Sequence, residues 1–393
     1  MKTLVVDNGA STIKAGYSSE EEPSFIPNSV FKSKFERKRV FVADELKDCV
    51  DKTSLYYLLP FEKGYLVNWD IEHQVWDRLF GPVLNVDFNE SRLVLTDTGQ
   101  NVPAFRDRSA EMVFEDYEFQ SLYKTSATSL VATAKSLNGE SSSCFVIDSG
   151  YSFTHIIPYI NGKVYRPGIV RIDVGGKALT NQLKEWISYR QLQVLDETYV
   201  MNQCKEDACF VSLNFNEDMK ISRLSGVANT HMREYVLPDF MTRHRGELQL
   251  PGSADVGDAQ KILLSSERFA IPEILFRPSD VDLNQMGIVE ALLYSLSFIP
   301  EEHAPDVVEK IICIGGSSLF PNYSDRIAKD LRPLLDEDVD FAVHLPSNPI
   351  TFAWQCAKQC VENQLLEDKF VTKAEYLEHG ENICFKRFNN FLS

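Results

Sequence analysis

At 393 residues, 44% hydrophobic and 25% charged, the chain has the composition of a soluble globular protein and is too long for one core, so two lobes are expected. A net charge of −17 argues against direct, sequence-specific grip on nucleic acid, and no apolar run reaches the length that spans a bilayer, so no membrane role is expected. The apolar stretch before Asp7 is too short for a signal peptide, which makes the inside of the cell the expected location.

In chain order, Thr3–Val6 reads as a short apolar strand running into Asp7-Asn8-Gly9. Tyr65–Gly81 reads as a helix capped by Asn68 or Asp70, striped by Ile71, Val75 and Leu79, and stopped by Gly81. Arg92–Thr96 is a second buried strand, and Ser109–Phe114 and Ser121–Leu137 read as helices. Cys144–Ile147 is again an apolar strand, ending in Asp148-Ser149-Gly150. This alternation is that of an α/β protein. The eight cysteines follow no disulfide rhythm. Cys356 and Cys360 share a helix face, as would ligands, but no histidine is placed to complete a zinc site, so these and Cys204 and Cys209 read as buried thiols.

One long-range repeat stands out. Leu4-Val5-Val6-Asp7-Asn8-Gly9-Ala10-Ser11 and Phe145-Val146-Ile147-Asp148-Ser149-Gly150-Tyr151-Ser152 share the order apolar, apolar, apolar, Asp, any residue, Gly, any residue, Ser. Each continues into strand-like sequence, so each reads as a hairpin. Glycine permits the positive φ of a tight turn and lets backbone N–H groups come close to a phosphate. Asp7 and Asp148, at matching strand ends, are placed to hold the waters around a magnesium ion. A single Asp-x-Gly is an ordinary turn. Two in one strand context, a lobe apart, describe a clamp around a triphosphate. Neither the Walker pattern nor Gly-x-Gly-x-x-Gly occurs. Two glycine pairs, Gly175-Gly176 and Gly315-Gly316 before Ser317, Ser318 and Leu319, offer further close-approach turns.

These residues resemble the actin family from end to end. Asp7-Asn8-Gly9 with Lys14-Ala15-Gly16-Tyr17 is similar to the family's first phosphate hairpin, and Asp148-Ser149-Gly150 with Thr154-His155 to its second. Ile172-Asp173-Val174-Gly175-Gly176, the helix with Lys205-Glu206 before Cys209, Glu267-Arg268-Phe269 and Gly315-Gly316-Ser317 carry the resemblance through the rest of the chain. The segments Leu59–Asp70, Ile187–Leu192 and Asp148–His155 look like a nuclear actin-related branch rather than conventional actin.

The resemblance implies an α/β, actin-like two-lobed ATPase fold of the duplicated kind shared with hexokinases and heat-shock ATPases. It implies a small outer lobe of residues 1–126 and 352–393, with its upper part at about 28–59, and a large inner lobe of 127–351, with its upper part at about 175–279. The implied ligand is ATP or ADP with magnesium, held by Asn8, Gly9, Ala10, Ser11, Lys14, Gly150, Tyr151, Ser152, Gly176, Lys205, Glu206, Gly315, Gly316, Ser317 and Leu319, with Asp7 and Asp148 on the metal through water. It also implies a nuclear location with a cytoplasmic pool and a place in a Swr/SRCAP-type remodelling complex, which exchanges a core histone for its Z variant. The implied partners are that complex's motor ATPase subunit, a zinc-HIT-finger subunit and histones.

Departures from the family pattern bear on mechanism. The glutamine that orients the attacking water falls at Ala127, which can neither donate nor accept a hydrogen bond, so nucleotide binding without turnover is expected. Tyr151 stands where the family carries an acidic residue, and Ile350 where it carries a lysine against the base. The Pro27–Val42 segment is short against the family's subunit-gripping loop, so a chain that does not form homopolymers is expected. An insertion at 240–266 carries Arg243, His244, Arg245, Leu248 and Leu250, and reads as a partner-docking element that orders fully only against its partner.

Overall fold

Two buried strands that each end in an aspartate organise the molecule, whose computed structural model describes residues 1–97, 108–135, 137, 142–252 and 257–389. Lys2–Asn8 pairs antiparallel with Thr12–Tyr17 and parallel with Ser91–Asp97. Cys144–Ser149 pairs antiparallel with Thr154–Ile160 and parallel with Lys310–Ile314. The sequence repeat is therefore a repeat of topology. Its register sets Asp7 opposite Lys14 and Asp148 opposite His155.

The first sheet runs Val371–Thr372, Ser121–Ser126, Ser91–Asp97, Lys2–Asn8, Thr12–Tyr17, Ser24–Pro27. The helix Phe352–Glu362 packs on it, and the Trp354 indole donates to the Val5 carbonyl at 3.2 Å. The C-terminal segment thus completes the first core. The second sheet is centred on Thr154–Ile160, Cys144–Ser149 and Lys310–Ile314. Side chains alternate along a strand, so Cys144, Val146, Ile312 and Ile314 join the first core while Phe145, Ile147, Ile311 and Cys313 join the second. That two-faced burial explains why these strands are apolar at every position. All eight cysteines are buried thiols, and the described residues contain no metal-ligating cluster.

Three expectations change in detail. Ser121–Ser126 is a strand, and the helix spans only Ala127–Lys135. The first six residues pair with Ser91–Asp97 and Val371–Thr372, and tertiary pairing outweighs their local periodicity. The helix predicted from Tyr65 begins at Trp69, with the Asn68 side chain accepting from the Ile71 N–H, because Tyr65 and Leu66 pair with Phe61 and Glu62. Gly81 does not stop it; a wider helical turn continues through Val83.

Candidate functional site

The first hairpin is scaffolded from behind. The Thr96 hydroxyl donates to Asp7 Oδ1 at 2.8 Å and accepts from the Asn8 N–H at 2.9 Å, while Lys14 Nζ lies 3.2 Å from Asp7 Oδ2. Asn28 takes the tip's carbonyls: its side-chain amide donates to Gly9 O at 3.1 Å, and its backbone N–H to Ser11 O at 2.9 Å. The second hairpin is tied the same way by the N-terminus of the helix Gly176–Arg190. Gly176 N donates to Gly150 O at 3.0 Å and Lys177 N to Tyr151 O at 2.8 Å.

These ties decide where the donors aim. In a trans peptide the N–H of one residue points opposite the carbonyl of the residue before it, and among the described residues no peptide bond is cis. Holding Gly9 O, Gly150 O and Tyr151 O in this way turns the N–H groups of Ala10, Tyr151 and Ser152 in the opposite directions. Among the described residues none of these three donors has a hydrogen-bond partner. All three residues line one cavity of about 600 Å³ between the hairpins. Unpaired backbone donors at such a place suit an anion.

The same cavity is lined by every residue expected at it: Asp7, Asn8, Gly9, Ala10, Ser11, Lys14, Asp148, Gly150, Tyr151, Ser152, Gly176, Lys205, Glu206, Gly315, Gly316, Ser317 and Leu319, together with Ala127 and Ile350. Burial and repulsion from Asp7, partly offset by Lys14, push the Asp148 carboxyl up to about 6. Two carboxylates that repel one another beside a lysine fit a hydrated divalent cation carrying a phosphate. Gly315 has φ +90°, and a Cβ there would run into the Ser149 carbonyl. It is a turn only glycine fits.

One reading is corrected. Neither Gly9 nor Gly150 adopts positive φ; what excludes a side chain at Gly9 is the Thr12 carbonyl, 2.7 Å from where a Cβ would lie. The Lys205 ammonium faces protein, donating to Gly176 O at 3.1 Å, Thr180 Oγ1 at 2.9 Å and Asn202 Oδ1 at 2.9 Å. All three of its donors are engaged, so it ties two helices together, while Lys205 and Glu206 both line the cavity. Ala127 is the first residue of its helix, capped by Ser126 Oγ accepting from the Ser129 N–H at 3.1 Å. Burial pushes the Tyr151 phenol up to about 12, so it faces the cavity as a neutral donor.

Sequence reasoning missed His155 as a site residue. It is 2% exposed and lines the cavity, and burial, reinforced by Arg171, lowers its imidazole to about 3, which keeps it neutral. Its place opposite Asp148, matching Lys14 opposite Asp7, was the available signal. Thr96, Asn28 and Glu72 were missed as well, because their contacts with the hairpin span long stretches of chain.

Within the insertion at 240–266, expected to order fully only against a partner, the described residues on either side of 253–256 are tied into the fold. Glu247–Leu248 and Lys261–Leu264 both pair with Arg233–Val236, and Ile262 and Leu264 are buried. Arg245 Nη2 bonds Asp207 at 2.6 Å, and Leu248 packs against the second core. Leu250 and His244 remain exposed and Arg243 half-buried, whereas Ser253 lies outside the described residues.

The chain matches the family Actin over residues 1–389. It is 42% identical over 389 residues to an actin-like protein of Caenorhabditis elegans, covering 99% of this chain and 92% of that one. It is 39% identical over 386 residues to actin-related protein 6 of Drosophila melanogaster, covering 96% and 97% of the two chains. With actin-related protein 6 of Arabidopsis thaliana it shares 34% identity over 418 residues, covering 98% and 99%. With two topologically matched hairpins about one cleft and a family match over nearly its whole length, the chain belongs to the actin family.

Proposed function

We propose that this chain is a nuclear scaffold subunit of a Swr/SRCAP-type chromatin-remodelling complex that exchanges a core histone for its Z variant, and that it binds ATP or ADP with magnesium without turning it over. The observation that carries the nucleotide half is the set of three unpartnered N–H groups on two matched hairpins, beside Asp7, Asp148 and Lys14. The actin fold is one that binds nucleotide with a divalent metal. Ala10, Tyr151 and Ser152 would take phosphate oxygens, Lys14 would add charge, and Asp7 and Asp148 would accept from the metal's waters. Magnesium, when bound, neutralises phosphate charge. Ala127 lines the cavity and, by the resemblance, would put a methyl group where turnover requires a water to be oriented, which favours retention over hydrolysis.

The complex-bound role is supported by the end-to-end similarity to proteins named actin-related protein 6, and the motor ATPase subunit, a zinc-HIT-finger subunit and histones are the partners it suggests. Purification of the tagged full-length protein from nuclear and cytoplasmic extracts tests it. The motor ATPase and zinc-HIT-finger subunits should copurify from the nuclear fraction, and saturating magnesium-ATP should raise the melting temperature by mass action. A protein that pellets as nucleotide-dependent filaments, hydrolyses ATP and brings no remodeller subunit would instead be an active cytoskeletal ATPase.

A further inference from the structure

We propose that Glu72, acting through Asn8 and Asn28, is the positioning residue that holds the first hairpin's tip in its anion-accepting shape. The inference deepens the nucleotide reading and rests on it for the ligand's identity. Glu72 lies on the helix Trp69–Arg78, outside the cavity, and is fully buried. Its Oε1 accepts from Asn8 Nδ2 at 2.6 Å. Asn8 Oδ1 in turn accepts from Asn28 Nδ2 at 3.3 Å, and the same Asn28 amide donates to Gly9 O. Because the Gly9 carbonyl is what aims the Ala10 N–H, the direction of a candidate phosphate donor depends on a chain that ends at Glu72.

Three buried polar atoms at the end of this chain of contacts have no partner. They are the acceptors Glu72 Oε2 and Asn28 Oδ1 and the donor Trp76 Nε1, and the Glu72 carboxyl faces the Asn28 amide and the Trp76 indole. A buried carboxylate with one short hydrogen bond is poorly compensated. The Glu72 oxygen that does not meet Asn8 thus stands beside the Asn28 amide and the Trp76 indole without completing a bond to either. A residue that merely filled the core here would be apolar. Glu72 instead sets one carboxylate oxygen on Asn8 of the hairpin tip, and Asn8 continues the path through Thr96 to Asp7.

The test uses the full-length protein, hydrogen exchange over residues 7–12 without nucleotide, and affinity for a fluorescent magnesium-ATP analogue. Glu72→Leu should speed exchange in that segment and weaken the analogue by about tenfold each, while exchange in Cys144–Ser149 stays at the wild-type rate. Glu72→Gln, whose Oε1 still accepts from Asn8 Nδ2, should stay within about threefold of wild type on both readouts. Wild-type values for Glu72→Leu, or equal damage from Glu72→Gln, would overturn the proposal. Should Glu72→Leu fail to fold, Asn28→Ser carries the same comparison with the same outcomes. A wild-type protein that does not bind the analogue defeats the nucleotide reading, and the exchange measurement still decides the positioning role.

Discussion

Asp148 and Glu72 both hold protons at a pH where an unfolded chain has released them. Burial and the nearby Asp7 raise Asp148 from 3.8 to about 6, and burial raises Glu72 from 4.5 to about 7 against the pull of Asn8, Asn28 and Trp76. The sign follows from linkage: stability contributed by a raised pKa is complete below the unfolded value and is lost as pH rises through the folded one. Urea unfolding of the nucleotide-free protein should therefore show stability falling between pH 5 and 7.5 by an amount on the order of 2–4 kcal/mol, then levelling. Glu72→Gln should flatten the upper half of that slope, and an unchanged slope would mean Glu72 is charged in the native state. At Ala127 the expected change is in rate. Ala127→Gln should raise single-turnover hydrolysis by about tenfold or more at unchanged nucleotide affinity, since it restores an amide able to orient water. Equal rates in a rapid-quench assay would assign that task elsewhere in the cavity.

At the scale of elements, the helix Ala127–Lys135 depends on a single cap. Ser126→Ala removes the acceptor for the Ser129 N–H and should cost about 1 kcal/mol by chemical denaturation. A loss well under that would show that packing against Phe352–Glu362 holds the helix without its cap. The insertion needs a gentler test than deletion. Removing it would strip Arg245 from Asp207 and uncover the buried Tyr235 against which Gly246 packs. Replacing only Arg243, His244 and Leu250 with serine should leave the melting temperature within about 2 °C. It should reduce copurification of remodeller subunits several-fold if this face docks the partner, and undiminished recovery would place docking elsewhere.

Over the whole molecule, bonds cross from the first 65 residues to the second lobe. The Ser54 N–H and hydroxyl donate to Glu197 at 3.0 and 2.7 Å, and Lys34 Nζ lies 3.2 Å from Asp196. Arg171 donates to Lys63 O at 2.5 Å and stacks between Tyr65 and Phe153. The exposed Lys34–Asp196 pair contributes little. The two part-buried bonds to Glu197 are stronger, because a carboxylate accepts both. Glu197→Ala should hasten release of a fluorescent nucleotide in a stopped-flow chase by about tenfold, with a smaller effect on the association rate. An unchanged release rate would mean that the lobes part, or the nucleotide leaves, without breaking these contacts.

The matched segments at Asp7 and Asp148 were legible because a strand ending in a tight turn is local chemistry: apolar residues buried on both faces, then an aspartate and a glycine. The alternating α/β pattern, the Asn68 cap and the Gly315 turn were readable for the same reason. Other features required the fold. Ser121–Ser126 became a strand through partners at 91–97 and 371–372, which no local window contains. Lys205 spent its charge on Gly176, Thr180 and Asn202, and the insertion found strand partners at Arg233–Val236. Glu72 and Asn28 reached the first hairpin from 64 and 20 residues beyond Asn8. The sequence alone determined which residues could form the hairpins and which types of donor they carry. Only the tertiary structure decided where those donors point, because the carbonyls that orient them are held by residues far away in the chain.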